Sequence, residues 1–322
     1  MSDRIRTIGG TRARVVAKWL DPLGPDASGQ GPRFGGNPDF LAFFGDGWAE
    51  EGGSPWYAGS SCAGWLWVNH EEVMGAPPTT TSAPTGQRRT LARALGRAGL
   101  LAGDPDSDVR TQAEVDAFIR WEKRELGGSW MRVERDPATR QWRVDRGAPN
   151  VRYDSTSGTL LAVTGQRLTR AARDDAGQDL PAGVVPGLAA DCSGGVSPWG
   201  TVLTAEENVQ DWYGDLECCW TVDSRFVSGV GFDPGELVHP AVEASPASAW
   251  GRSSDPAARK DVDGYGFLCE VDPGQPPGRW YRSAAAGGDG RGHRKLGALG
   301  RARWENGSFA VDRDLALAGG EP

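Results

Sequence analysis

Glycine and proline, 47 and 22 of them, are scattered between short apolar runs instead of being gathered in one linker. That spacing favours many turns and short strands, and so an all-β sandwich, barrel or propeller. A chain of 322 residues can bury a large core, and residues 1–322 are expected to form one large domain. Fourteen tryptophans against three methionines sharpen the expectation, because an indole needs a wide apolar slot and a partner for its N–H. Propeller blades and carbohydrate sites both offer such slots.

The strand rhythm is legible in several places. Phe34 to Phe44 reads as a turn entering a strand. Gly64 to Glu72 alternates, with Trp65, Trp67 and Asn69 on one side and Leu66, Val68 and His70 on the other. Both sides are partly apolar, which predicts a central strand. Ser129 to Asp145 reads as a hairpin around a DPATR turn. Further strands are expected at Thr159 to Thr164, Gly200 to Ala205, Gly266 to Val271 and Arg303 to Val311. Leu91 to Leu101 and Gln112 to Glu125 have helical spacing, so residues 79–128 are expected to be a small helical insertion.

Composition excludes some functions. The net charge of −8, spread along the chain, argues against nucleic-acid binding. Five cysteines without a CxxC pair suggest neither a zinc ribbon nor a disulfide framework. No stretch approaches the length of a membrane span, and the N-terminus has no apolar core of a signal peptide.

The most informative segment is CSGGVSPWGTVLTAEEN, Cys192 to Asn208. A glycine pair permits close backbone approach, and Thr201 to Leu203 leads as a strand into Glu206 and Glu207. Neighbouring acids on a strand point to opposite sides, so one of the two can face a shared site unless a bulge intervenes. Glu71 and Glu270 stand at the polar ends of apolar strands, where burial requires pairing or a metal. Glu305 follows LGRARW, where Arg301 or Arg303 could share its charge. For each acid the alternative is a solvated strand end. Three histidines are too few for the usual histidine-based zinc or di-iron site, whereas oxygen ligands suit calcium or magnesium and one thiolate among them suits a redox-capable metal.

VNHEE at Val68 to Glu72, the Cys192 to Asn208 block, GYGFLCEVDP at Gly264 to Pro273 and KLGALGRARWE at Lys295 to Glu305 follow one another here as in PhoX-type alkaline phosphatases, which the chain resembles. FGGNPDF at Phe34 to Phe40 also resembles a family segment. The resemblance implies a β-propeller whose inner strands and loops converge on calcium ions and ferric iron near the central axis. By that likeness Cys192 is the thiolate ligand of iron, and Glu71, Glu206 or Glu207, Glu270 and Glu305 are the carboxylates. The family pattern favours Glu207, next to the asparagine, and it makes Arg301 the holder of phosphate oxygens. The implied substrates are small phosphate monoesters, handled by a monomer that is exported in most of the family.

The sequence departs from the pattern at Trp304, where a histidine is usual, and at Ala205, where a cysteine is common. A twin-arginine signal and an acidic GDD-like element after Glu305 are not found in this sequence, so weak or no phosphomonoesterase activity is expected. A non-catalytic propeller that keeps calcium for structure and binds through its tryptophans is the competing reading. A tryptophan-rich sugar-binding or glycosidase domain rests on composition alone.

Overall fold

A computed structural model describes residues 9, 13–25, 31–48, 59–72, 120–168, 171–209, 264–284 and 287–312. These residues form two sheets. The first holds β1 (Pro38–Gly45), β2 (Ala63–His70), β3 (Gly127–Arg135), β4 (Trp142–Val144) and β5 (Val151–Tyr153). It is antiparallel in the order β1-β2-β3-β4, and β5 pairs with the start of β3 while β4 pairs with its end. β2 is central, as its two apolar sides require. Trp67 enters the main core, and Val68 packs with Leu23, Phe34 and Met131 on the other side.

The second sheet holds β6 (Leu160–Thr164), β7 (Val184–Pro186), β8 (Asp191–Val196), β9 (Val202–Glu206), β10 (Leu268–Val271) and β11 (Arg294–Leu296). Its order is β7-β6-β11-β10-β9-β8, and every pair is antiparallel except β6 with β11. The main core lies between the sheets, where Phe44, Trp67, Trp130 and Tyr153 of the first meet Val163, Val202, Cys269 and Val271 of the second. Gly128 makes room for this packing. A Cβ there would stand 2.1 Å from Trp67 Cζ2, so a side chain at residue 128 would displace the indole.

The hairpin around DPATR forms as expected, with Val133 opposite Val144. β10 begins at Leu268, later than expected, because Gly266 turns the chain with a φ of +86°. The expected strand from Arg303 is not one: residues 301–310 are irregular. Their backbone bonds go to separate partners, from Ala302 N–H to the Gly266 carbonyl, from Trp304 N–H to the Glu206 carbonyl, and from Ser193 N–H to the Glu305 carbonyl. A ladder needs one continuous partner, and this segment has three.

The structure is mostly β, and among the described residues the sheets do not close into a ring. Of the expected helical insertion, residues 79–119 lie outside the described residues, residues 120–125 are helical, and Gly127 and Gly128 already belong to β3. No helix among the described residues is long and apolar enough to cross a membrane.

Candidate metal centre

Two bulges prepare the site. Between Pro38 opposite His70 and Leu41 opposite Val68, β1 spends three residues where β2 spends two, and Asp39 sits in that stretch. Between Asp191 opposite Glu206 and Gly194 opposite Thr204, β8 does the same against β9, and Cys192 sits there. An extra residue re-aims the side chains beside it. Both re-aimed groups turn to one place.

Buried Asn69 fixes the second bulge. Its Nδ2 donates to the carbonyls of Cys192 (2.8 Å) and Ser193 (3.2 Å), and its Oδ1 accepts from Trp67 Nε1 at 2.6 Å. The tryptophan face of β2 is thereby tied to the cysteine backbone.

Around the Cys192 thiol, Asp39 Oδ2 lies at 3.5 Å and Glu305 Oε1 at 3.3 Å. Ligand-capable atoms of Asp39, Glu71 and Cys192 lie within 4.8 Å of one another, and so do those of Cys192, Glu207 and Glu305. Amides hold the carboxylates. Asn208 Nδ2 donates to Glu71 (2.8 Å) and to Glu207 (3.1 Å), and Asn37 Nδ2 donates to the other Glu71 oxygen (3.1 Å). Arg303 Nη2 donates to Asn208 Oδ1 at 2.7 Å.

The electrostatics are those of crowded negative charge. Burial first, then the charges of Glu72, Glu207 and Asp39, push the Glu71 carboxyl up to about 7. Burial, the Glu305 contact and the charges of Glu71 and Asp39 push the Cys192 thiol well above its usual range. A cation bound among these like charges would offset their repulsion and favour both the carboxylate and the thiolate. A set of four carboxylates and one thiolate fits hard and borderline metal ions together.

The structure therefore brings together Glu71, Cys192, Glu207 and Glu305, while Glu206, Glu270 and Arg301 have contacts of their own. Glu206 points the opposite way from Glu207, into the interior. There it accepts from Lys295 Nζ (2.6 Å) and from the N–H groups of Ala189, Gly266 and Phe267. Burial raises its carboxyl although Lys295 pulls it down. Glu270, next to last in β10, lies opposite Leu203 on β9 and accepts from Trp199 Nε1, Thr201 Oγ1 and Arg294. Arg301 donates from Nε to the Tyr265 carbonyl at 2.8 Å, with its guanidinium 5.8 Å from the Phe267 ring centroid. Arg303 is the arginine that reaches the cluster's asparagine.

Sequence reasoning missed Asp39, although it lies in the FGGNPDF segment. Its signal was an acid where a turn enters a strand, and the register shift that aims it has no mark in the sequence. Trp304 packs against Leu203, Ala205 and Leu268 with its indole N–H unpartnered among the described residues.

The family model described as alkaline phosphatase PhoX matches residues 2–315. Among solved structures, PhoX of Pseudomonas fluorescens in complex with vanadate, a transition state analogue, is similar in fold, with a TM-score of 0.55 and 22% sequence identity. The alignment covers 94% of this chain and 43% of that one, so the chain spans less than half the length of its structural neighbour. No curated protein sequence matches. With its family motifs in order and the match running through nearly its whole length, the chain belongs to the PhoX alkaline phosphatase family.

Proposed function

We propose that the chain is a metal-dependent hydrolase of phosphate monoesters, built on blades of a β-propeller. The observation that carries this is the convergence of Cys192 with Asp39, Glu71, Glu207 and Glu305 from five separate segments. Membership of the family supports it, as does the vanadate complex of the similar Pseudomonas fluorescens protein.

The carboxylates would hold calcium, and Cys192 with its carboxylate neighbours would hold ferric iron. Such ions, when bound, supply positive charge for the phosphoryl oxygens and an activated oxygen nucleophile. The chain's own groups do the positioning. Asn208 binds Glu71, Glu207 and Arg303 at once, and so fixes the cluster relative to a guanidinium. Arg303 is exposed, and its planar fork matches two oxygens of a phosphate. Water is consumed, and an alcohol and inorganic phosphate leave.

The test is hydrolysis of p-nitrophenyl phosphate at alkaline pH with added calcium. Turnover that is weak but measurable, that a chelator stops, and that Cys192→Ala lowers by about a hundredfold or more is the expected result. Metal-loaded protein without turnover would count against the proposal.

A further inference from the structure

A cavity of about 660 Å³ opens at the far end of β9 from the metal cluster. Thr201 lines it, while Glu207 belongs to the cluster, and six residues of extended chain put roughly 20 Å between them. The volume falls in the range of small-molecule sites. Its walls use a share of the tryptophans that the metal centre leaves unexplained: Trp48, Trp65, Trp130 and Trp199, with Tyr281.

Most of the charges in this cavity already have partners. Glu270 is saturated by Trp199 Nε1 (2.8 Å), Thr201 Oγ1 (2.6 Å) and Arg294 Nε (2.6 Å). Asp46 forms a two-pronged pair with Arg132. Burial raises the Asp272 carboxyl, which has Arg291 on one side and the charges of Glu270 and Asp289 against it. With three carboxylates and two arginines in its lining, the cavity does not favour a phosphate. The cation position on Tyr281 is already filled, with the Arg294 guanidinium 4.8 Å from the ring centroid.

The aromatic geometry narrows the class further. Trp65 and Trp130 stack on each other at 5.3 Å with 6° between their planes, so no slot for a flat base lies between them. Trp130 is buried in the core against Phe44, so the partly exposed Trp65 backed by it is the platform. A platform beside fixed acids, arginines and Gln275 suits a ring with one apolar face and hydroxyls at its edge. We infer that this cavity is a binding site for a neutral saccharide, separate from the phosphoesterase centre.

The test is titration of the whole protein with cellobiose, maltose, lactose and trehalose, read by calorimetry and tryptophan fluorescence. Adenosine and tetramethylammonium serve as competing ligand classes. Saturable binding of at least one disaccharide is expected, weakened about tenfold or more by Trp65→Ala and Trp199→Ala. Trp199→Phe, which keeps a ring and loses the N–H, should weaken it less. Hydrolysis of p-nitrophenyl phosphate should be the same in Trp199→Ala as in the parent protein, so a failure here is distinct from a failure of the phosphatase proposal. The inference is overturned if no disaccharide binds saturably, if binding survives both alanine variants, or if adenosine or tetramethylammonium binds in place of the sugars.

Discussion

Glu206 and Glu207 show how one residue of register separates two roles. The first is enclosed with Lys295, whose ammonium also lies 4.2 Å from the Tyr265 ring centroid, and the second reaches the candidate metal centre. Alternation alone told that they must diverge, but not which one faced inward, because the partner Lys295 is 89 residues away. Arg301 and Arg303 pose the same problem, on a segment with no strand period to read. Arg303→Lys should raise KM for p-nitrophenyl phosphate about tenfold with metal content unchanged, since an ammonium cannot reproduce a fork. Arg301→Lys should leave KM as it is, and the reverse pattern would move the phosphate contact to Arg301. His293 gives a pH test. The Asp272 N–H donates to its Nδ1 and its Nε2–H donates to the Pro276 carbonyl, which fixes the neutral ring, and burial lowers its pKa to about 4. An unfolded histidine takes a proton near pH 6.5, so the folded state loses stability as pH falls from there toward 4. The loss between pH 7.5 and 4.5 should be about 2 to 3 kcal/mol. Burial of Asp191, which raises its carboxyl to about 7, acts with the opposite sign, costing stability as pH rises. Urea midpoints at both pH values, compared between the parent protein and His293→Gln, isolate the histidine. An equal pH response in the two would contradict this assignment.

At the scale of elements, the strands were the legible part. β2, the β3–β4 hairpin, β6 and β9 follow from alternation and turn residues within a window of about ten residues. The bulges in β1 and β8 were not legible, since each is a mismatch between two strands and belongs to neither alone. Asp39 was missed for that reason, and Cys192 was found by family likeness instead. The same limit applies to residues 301–310, where apolar residues follow the surface of Leu203 and Leu268 without forming a ladder. Gly128 tests the packing of β3 on β2. A methyl group there meets the ring of fully buried Trp67, so Gly128→Ala should destabilise the protein by about 1 to 3 kcal/mol. Thermal unfolding should show a lowered midpoint. An unchanged midpoint would mean that the β2–β3 interface is looser than described.

Across the whole molecule, the two sheets share one core, and the candidate metal centre draws on both: Asp39 and Glu71 come from the first, Cys192 and Glu207 from the second, and Glu305 from the irregular segment laid along it. A cation at that point would therefore tie the sheets together as well as serve chemistry, and its removal should lower the unfolding midpoint by mass action. Family membership gives the reaction class its support, and the donor set gives the choice of metals. Elemental analysis of the purified protein beside its Cys192→Ala variant joins the two most directly. The account predicts iron together with calcium in the parent protein, and loss of iron with calcium retained in the variant. Protein that holds neither metal, or iron bound equally well without the Cys192 thiol, would contradict it.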